Sequence, residues 1–503
     1  MSKSKSRWSI ARYLWPLAVL ALVLAACSPS DDASDTTEAG GTDTTEAAAP
    51  DTTEGGTDST EAPSGGTEVI KLAVLSDCEG AFGGFHAQDL AGVGAAFAEY
   101  AGATITDPTD PVAGFTGASV NGVPIELVGV GCADDTADKA IEETRRLMEQ
   151  LGADIMIGPL SGDESVAVAN YAKDHPTQTF INGTAGAMDT TLDVQAPNFF
   201  RFNGDGAQWN AGTGDYAKNV LGWDTAAVIM DDYSFGWTSA AGFIAEFCAA
   251  GGEVTARVFP PLNTTDYSSF AAQLPAPDEV DGYFWAVGGT GNIPSIKAFE
   301  DIHGPLSPDQ VIGNLFWEFD AASFDPSLEG AYVGGFGTAA DVNLPGVPLH
   351  TGIMETHFTE FPDPGGNPAP AGAQAHSGFL VNYFVAAKAL VQALEEVGGD
   401  ISDDHAALQN ALANLTVEGP YGPISLDENR QAIVDSQVRQ LTLSDDGTLT
   451  LKTVALVPGV TQDFGGSFSK EGGMPSRDIP LCEVRDLPWV GNSIPVIDGE
   501  PQN

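Results

Sequence analysis

The nine residues ADIMIGPLS, Ala153 to Ser161, hold a short apolar run that ends in a glycine–proline turn. Ile155 to Ile157 predicts a buried strand, and Glu164 to Lys173 predicts the helix that follows it. A strand that leads through a tight turn into a helix is the repeating unit of a parallel sheet. This unit indicates the fold class, and the same pattern extends in both directions along the chain.

The alternation of strands and helices runs through two consecutive series. Upstream of the quoted stretch we predict a strand from Val69 to Leu75, a helix from Leu90 to Tyr100 and a strand from Ile125 to Val130. A second helix follows, and we expect Asp135 to cap it. Near Asn198 the alternation starts again, and it continues to Phe336. Two such series predict an α/β fold with two lobes, each built on a doubly wound sheet of mainly parallel strands.

The N-terminal segment, residues 1–26, has the layout of a secretory signal peptide. Four basic residues precede an apolar run, Leu14 to Ala26, that is too short to span a bilayer. The run ends in Leu-Ala-Ala-Cys27, which is similar to the bacterial lipobox, in which the cysteine is diacylated and the chain is cleaved before it. We predict a lipid on Cys27; the alternative is an ordinary signal peptide with an unmodified cysteine.

Residues 27–67 begin with this cysteine and form an acidic tract. It contains no Lys, Arg or aromatic residue after Cys27, and it repeats Asp, Thr and Glu. Such a segment lacks the apolar surface that would offset the entropy of ordering the chain. We therefore predict a disordered tether.

The chain is strongly acidic, with 70 Asp and Glu against 20 Lys and Arg and a formal net charge of −50. A surface of this charge repels nucleic acid, so no nucleic-acid partner is expected. The motifs of serine hydrolases, zinc proteases, phosphate-binding loops and C-x-x-C redox proteins are absent from the sequence. We predict a protein without cofactor, metal site or enzymatic activity.

Four cysteines remain after Cys27, and three pairings of them are possible. Cys78 and Cys132 each follow the carboxyl end of a predicted strand, and the first two strands of such a unit usually lie side by side. Their Cα atoms would then be about 6 Å apart, which suits a disulfide. By elimination, Cys248 would pair with Cys482 and hold the C-terminal segment against the second lobe.

The turns after the strands are the expected place for a ligand, because the crevice of an open α/β sheet lies outside the carboxyl ends of its strands. Phe85, Phe235 and Trp317 lie in such turns and are candidates for its apolar walls. The helix N-termini that follow Ser161 and Thr184 would favour a carboxylate. The pattern indicates a site for a small molecule.

Taken together, these segments resemble the Leu/Ile/Val-type substrate-binding proteins of ABC importers. The resemblance spans roughly Glu68 to Val457, and its most specific part is the Ile-Gly-Pro-Leu-Ser segment that ends at Ser161. Asn121 to Leu127 and the pair Arg145-Arg146 also match. The resemblance implies a type I periplasmic-binding-protein fold, in which two lobes joined by three crossovers close on a small ligand.

The resemblance also implies lobe limits and crossover positions. Lobe 1 would take residues 68–200 and 337–433, lobe 2 would take 201–336 and 434–458, and the crossovers would fall near 199–202, 334–337 and 431–438. Residues 459–503 exceed the usual length of the family, and we expect this C-terminal extension to wrap a lobe.

The ligand contacts of the family can be carried over to this sequence. Contacts to the ligand and to its carboxylate are implied for Phe85, Ser161, Gly162, Gly183, Thr184, Ala185, Phe235 and Thr290. An acidic partner for the ammonium of an amino acid should lie between Asn314 and Glu318. A simple alignment places Leu315 or Phe316 there and displaces Glu318, which shifts the expectation toward ligands without an ammonium group.

The predicted function follows from the lipobox and the resemblance. We expect an extracytoplasmic, monomeric solute-binding protein, anchored to the bacterial cell membrane by lipid on Cys27. It would capture a small polar ligand, such as an amino acid, an amide or an aromatic acid, and deliver it to the permease subunits of an ABC importer. The alternative is a surface sensor of the same fold that signals without transport.

Overall fold

Two separate β-sheets organise the chain, which the computed structural model describes over residues 67–335, 340–445 and 447–502. The predicted signal peptide and Cys27 lie outside these residues, as does the predicted tether apart from its last residue. Within the described ranges, no helix is both long enough and apolar enough to cross a membrane.

The first sheet has six strands, and all neighbouring strands are parallel except the first pair. From one edge to the other, its strands are Ala118–Val120, Val123–Ala133, Ile70–Asp77, Ile155–Ile157, Thr179–Ile181 and Phe199–Phe200. The first two parallel strands along the chain are neighbours, and Ser76 lies opposite Cys132. The chain order of these strands reverses beside Ile70–Asp77, which places a ligand crevice at the carboxyl ends of the central strands.

The second sheet has eleven strands and changes from parallel to antiparallel halfway across. The parallel part consists of Glu253–Val258, Thr225–Ile229, Gly282–Trp285, Val311–Gly313 and Tyr332–Gly334. The antiparallel part continues with Ala432–Leu443, Leu449–Val460, Ile494–Ile497 and Glu500–Pro501, and the hairpin Val417–Gly419 and Gly422–Leu426 branches from it. Both lobes are therefore α/β, as the sequence predicts, and six antiparallel strands extend the five parallel strands of the second sheet.

Helices cover the faces of both sheets. The longer helices are His86–Ala101, Ala137–Arg145, Gly162–Asp174, Ser234–Ala249, Asn292–His303, Gly346–His357, Gly378–Glu396 and Ala406–Asn414. The shorter ones are Asp189–Leu192, Gly206–Trp209, Thr213–Asp215, Ser268–Ala271, Trp317–Asp320 and Ala371–Gln374. Short strand pairs occur at Thr104–Ile105 with Phe115–Thr116 and at Glu360–Pro362 with Pro368–Pro370.

The cap of helix Ala137–Arg145 is Thr136, so the prediction of Asp135 was wrong by one residue. The Thr136 hydroxyl accepts a hydrogen bond from the Lys139 amide at 3.3 Å. Asp135 has a φ of 69°, in the left-handed region that Asp tolerates better than most residues. Its carboxylate accepts a hydrogen bond from the Ala81 amide at 2.5 Å instead. Asp and Thr are both favoured at caps, so composition alone could not separate them.

The chain returns to the first lobe after it has entered the second. Met354, Leu380 and Leu408, on three helices late in the chain, are buried in the same core as Leu72 of the first sheet. Strand Ala432–Leu443 then carries the chain back into the second sheet. The crossover predicted at 334–337 extends into residues outside the described ranges, and the lobe limits stay a prediction.

Arg201 lies at a crossing point between the two lobes and is fully buried. It forms an isolated parallel bridge with Gln431, and its Nε donates to the Gln431 side-chain oxygen. Its Nη1 donates to the Ala187 carbonyl at 2.6 Å, and its Nη2 lies 3.9 Å from the Asp205 carboxylate. Burial lowers the pKa of Arg201 to about 10. The two chain segments at this crossing point are therefore held together by hydrogen bonds and one buried charge pair.

The structure contains two disulfides, Cys78–Cys132 and Cys248–Cys482, and each pair has a Cα–Cα distance of 5.1 Å. The second bridge attaches the C-terminal segment to helix Ser234–Ala249. Trp489 adds to this attachment, since its indole N–H donates to the buried Glu246 carboxylate at 3.0 Å. The C-terminal segment thus packs on the second lobe, and its strand Ile494–Ile497 extends that lobe's sheet.

Candidate functional site

A cavity lies where the carboxyl ends of the strands of both lobes face each other. We call it the interlobe cavity; its volume is about 20 Å³. Its lining residues are Phe82, Leu160, Ser161, Gly162, Thr184, Gly186, Trp209, Tyr233, Phe235, Leu315, Phe316 and Phe379. None of these side chains carries a formal charge. The lining is mainly aromatic, with a few hydroxyl groups.

Aromatic rings from the two lobes touch one another across the interlobe cavity. Phe82 of the first lobe stacks on Phe316 of the second, with ring centroids 5.5 Å apart. Phe316 in turn meets Phe235 edge-on at 5.7 Å, and Phe235 lies 5.9 Å from Trp209. Such pairs stabilise a contact by roughly 0.5–1.5 kcal/mol beyond the area that they bury. The rings can enclose a flat, apolar ligand body.

The polar groups of the interlobe cavity come from the turns at Ser161 and Thr184. Ser161 is 2% exposed and forms a capping box with Glu164, and its hydroxyl donates no hydrogen bond to another described residue. It immediately precedes helix Gly162–Asp174, whose N-terminus favours an anion. The Thr184 hydroxyl makes a single long hydrogen bond, 3.4 Å, to the Phe379 carbonyl oxygen. A ligand carboxylate could accept hydrogen bonds here from the Ser161 hydroxyl and from the N-terminus of this helix.

The lobes are in contact, so the structure represents a closed arrangement. A Cβ atom on Gly162 of the first lobe would lie 2.7 Å from the Phe235 Cβ of the second. The Ser234 amide of the second lobe donates to the Asp163 carboxylate of the first at 3.1 Å. Glycine at position 162 is therefore what permits this approach, because any side chain there would collide with the opposite lobe.

Four buried acids, Asp77, Asp135, Glu164 and Asp231, lie next to the interlobe cavity; we call them the carboxyl cluster. All four are at most 6% exposed. Burial, together with the neighbouring carboxyl groups of Glu164 and Asp135, raises the pKa of Asp77 well above its usual range. Neither Asp77 oxygen accepts a hydrogen bond from an N–H or hydroxyl donor of the described residues. Carboxyl groups this close must share protons to remain buried.

Glu164 connects the carboxyl cluster to the interlobe cavity. Its carboxylate accepts hydrogen bonds from the Ser161 amide at 3.3 Å and from the Asp135 amide at 3.1 Å. Burial raises the pKa of Glu164 to about 8, and repulsion from Asp135 adds to the shift. Across the interface, burial raises the pKa of Asp231 to about 7. In the described part of the chain, no group of His, Cys, Asp and Glu side chains is arranged to hold a metal ion.

Two predicted site residues line a second, outer space at the mouth of the interlobe region. Phe85 and Thr290 both line it, and Phe316 lines both this space and the interlobe cavity. Phe85 stacks on Phe379 with a centroid distance of 3.9 Å, so it supports the cavity wall from behind. The structure therefore brings Ser161, Gly162, Thr184 and Phe235 into the cavity and leaves Phe85 and Thr290 at its entrance.

The remaining predicted residues lie elsewhere. Trp317 is fully buried in the core of the second lobe, with its ring 4.5 Å from that of Phe324. Glu318 forms an ion pair with Arg439 at 3.1 Å. Gly183 packs against the Tyr383 ring, and the Ala185 carbonyl accepts hydrogen bonds from Asn182 and Arg201. None of these four lines the interlobe cavity.

Several lining residues were not singled out from the sequence, namely Phe82, Leu160, Gly186, Trp209, Tyr233 and Phe379. Phe82 and Tyr233 lie in the same turns as predicted residues, so an aromatic count over each turn would have found them. Phe379 begins the apolar stripe of helix Gly378–Glu396, and such a stripe is typical of a helix face that packs in the hydrophobic core. Trp209 has no local signal, because the crossover brings it to the cavity from a different part of the chain.

Two α/β lobes that close on a cavity at the ends of their strands define the class of two-lobed solute-binding proteins. The model of the family described as periplasmic binding protein matches residues 69–448. The chain belongs to this family, whose members are solute-binding proteins of ABC transporters.

Individual proteins are similar to this chain at low identity. The Leu/Ile/Val-binding protein homolog 6 of Brucella melitensis is 24% identical over 404 residues, which cover 79% of this chain and 93% of that protein. A solute-binding protein from Rhodopseudomonas palustris, solved with 3,4-dihydroxybenzoic acid, is 20% identical with a TM-score of 0.62, over 78% of this chain and 99% of that one. A leucine-binding protein from Thermotoga maritima is 18% identical with a TM-score of 0.59, over 78% and 99%. The fold is thus the type I periplasmic-binding-protein fold.

Proposed function

We propose that this protein captures a small carboxylic acid with an aromatic or apolar body in the interlobe cavity and delivers it to an ABC importer. The observation that carries the proposal is the composition of the lining, which combines aromatic walls, a buried Ser161 hydroxyl that donates to no described residue, and no charged side chain. A carboxylate can accept hydrogen bonds from Ser161 and the adjoining helix N-terminus.

The lining also weighs against an α-amino acid as the ligand. An ammonium group taken out of water requires an anionic partner, and no carboxylate side chain lines the cavity. Leu315 and Phe316 occupy the place where the family resemblance implies an acid, while Glu318 is paired with Arg439. Among the relatives compared, the Rhodopseudomonas palustris protein with its bound benzoic acid derivative offers a closer chemical parallel than the leucine-binding protein.

A binding experiment tests the ligand class. Benzoate, 3,4-dihydroxybenzoate and leucine are titrated into the purified protein by isothermal titration calorimetry. We expect at least one aromatic acid to bind, and leucine to bind at least roughly tenfold more weakly, since its ammonium stays unpaired. Tighter binding of leucine, or no binding of any acid, contradicts the proposal.

Two aromatic substitutions locate the binding site. Phe235→Ala removes a ring of the wall and should weaken aromatic acid binding roughly tenfold. Trp317→Ala serves as the control, because this ring lies in the second-lobe core; affinity should be unchanged while stability falls by about 3–5 kcal/mol. Equal affinities in Phe235→Ala and the unmodified protein would place the ligand elsewhere.

The proposal includes membrane anchoring through a lipid on Cys27 and the tether up to residue 67. It is supported by the lipobox-like sequence and the acidic composition of that tract. Cys27→Ser should release the protein from the cell membrane and reduce uptake of the radiolabelled acid. A Cys27→Ser protein that remains membrane-bound contradicts the anchor, and uptake that persists after deletion of the whole chain contradicts a role in transport.

A further inference from the structure

A second cavity opens on the first lobe, between helices Gly346–His357 and Gly378–Glu396 and the hairpin tip Pro420-Tyr421. Its volume is about 310 Å³, and it shares no lining residue with the interlobe cavity. Its walls include Leu344, Leu349, Ile353, Phe384 and the ring of Tyr100. We call it the Lys388 cavity after the only basic residue, apart from a histidine, that lines it.

Lys388 is a buried cation on this wall, with 9% of its surface exposed. Its ammonium nitrogen donates to the Glu418 carbonyl oxygen at 2.7 Å and lies 4.9 Å from the centroid of the Tyr100 ring. These contacts hold the ammonium at the cavity but use only one of its three N–H donors for a hydrogen bond.

The other buried cations of the described chain show what Lys388 lacks. Arg201 is fully buried and has the Asp205 carboxylate at 3.9 Å; Arg439 is 3% exposed and has the Glu318 carboxylate at 3.1 Å. No carboxylate of the described residues lies within 4.0 Å of the Lys388 ammonium, although acids outnumber bases in the chain by 70 to 20. Buried charges in proteins are normally paired, so the position of an anion is left open at this cavity.

The remaining polar groups of the wall are compatible with a single bound anion. Burial lowers the pKa of His350 to about 3, so the ring is neutral, and its Nε2 lies 2.8 Å from the Ala375 carbonyl oxygen. The Glu418 side chain is exposed; its charge attracts the Lys388 ammonium from beyond ion-pair distance and opposes that of an incoming anion. Lys388 is therefore the one positive charge available to a ligand among the residues that line this space.

We propose that the Lys388 cavity is a second ligand site, which binds a small molecule with an apolar body and one carboxylate group. The carboxylate pairs with the Lys388 ammonium, and the apolar body packs on Tyr100, Ile353 and Phe384. Burial of that body excludes water from the ion pair and strengthens it. The site is independent of the interlobe cavity, because the two share no residue.

Octanoate is the probe for this site, measured by isothermal titration calorimetry on the purified protein. Lys388→Met keeps the volume of the side chain and removes its charge, and we expect it to weaken octanoate binding roughly tenfold or more. Lys388→Arg should retain most of the affinity. The cleft double variant Ser161→Ala, Phe235→Ala, which impairs the interlobe cavity, should still bind octanoate, and Lys388→Met added to it should weaken that remaining binding by the same factor. Absence of octanoate binding in the cleft variant, or unchanged binding after Lys388→Met is added to it, overturns the proposal.

Two surface variants keep the test decisive if Lys388→Met fails to fold. Leu349 lines the cavity mouth and is 61% exposed, so its replacement should not disturb the core. Leu349→Asp should weaken octanoate binding and Leu349→Lys should strengthen it, each several-fold, with a smaller effect at high salt. Equal affinities in both variants, or no octanoate binding to the unmodified protein, overturns the proposal. Comparison of octanoate with hexadecanoate then separates short soluble acids from lipid-derived ones.

Discussion

The lobes meet over two neighbouring regions of opposite chemistry, the interlobe cavity and the carboxyl cluster. The cavity is walled by rings of both lobes and has no charged side chain. The carboxyl cluster packs three acids of the first lobe close to Asp231 of the second, and all four are buried. The N-terminus of helix Gly162–Asp174 joins the two regions. Ser161 lines the cavity, and the Ser161 amide donates a hydrogen bond to the carboxylate of Glu164 in the cluster.

Because of this difference, closure of the lobes should respond to a ligand at the interlobe cavity and to pH at the carboxyl cluster. In the cavity, a ligand carboxylate would be the only negative charge, so it would interact with the Ser161 hydroxyl and the adjoining helix N-terminus. In the carboxyl cluster, protons are held by neighbouring acids, so closure and stability should respond to pH. A ligand shifts the balance between open and closed forms only through contacts that differ between the two.

The largest expected effect comes from placing a carboxyl group, like those of the carboxyl cluster, in the wall of the interlobe cavity. Leu315→Asp introduces an acid at a buried wall position of the cavity. Repulsion should weaken binding of an aromatic carboxylate roughly a hundredfold, since like charges at close range cost several kcal/mol. Leu315→Asn is the matched control of nearly equal size. Calorimetric titration that finds the same affinity in both variants would show that the ligand carboxylate does not approach this wall.

A smaller effect is expected where the two regions join. Gly162→Val places a side chain against Phe235 and Ser234 of the opposite lobe, so the closed form should be disfavoured. Overpacking of this kind typically costs about 1–3 kcal/mol, which would weaken ligand binding roughly tenfold to a hundredfold.

Small-angle scattering checks the cause of that loss. The ligand should reduce the radius of gyration of the unmodified protein and leave that of Gly162→Val unchanged. Ligand-induced compaction that persists in the variant would mean that the lobes close without the Gly162 contact.

The smallest expected effect, when it is taken per pH unit, is on the pH dependence of stability. The pKa of Glu164 is raised from 4.5 to about 8 in the folded protein, so the folded state holds more protons than the unfolded state between these values. The contribution of Glu164 to stability is therefore full below pH 4.5 and is lost as the pH rises toward 8, by up to about 1.4 kcal/mol per pH unit.

Glu164→Gln should remove this part of the pH dependence, because the amide does not titrate. Urea unfolding at intervals from pH 5 to pH 8 measures the difference between the two proteins. Glu142→Gln is the control, since Glu142 is an exposed acid on a neighbouring helix. An identical loss of stability with pH in Glu164→Gln and the unmodified protein would show that Glu164 does not hold the proton.

The candidate site was only partly predictable, and the turn Asn314 to Phe319 shows why. Three consecutive apolar residues there look equivalent in the sequence, yet Leu315 and Phe316 line the cavity while Trp317 is buried in the lobe core. Trp317 folds back over Gly313, where the absence of a side chain leaves room for its ring. The direction of each side chain depends on the local turn and on the neighbouring strand, and no periodic pattern extends through a turn.

The sequence by itself determined the fold class and the family. Alternating apolar runs and amphipathic segments specify local elements, and their order permits few arrangements of a parallel sheet. Only the tertiary structure decided which aromatic residues form the cavity, that four acids distant in sequence are buried together, and that Lys388 lacks a carboxylate partner among the described residues. Those features depend on distances between segments that are far apart in the sequence. Closure of the two lobes brings such segments together, and no local sequence pattern indicates which residues will meet.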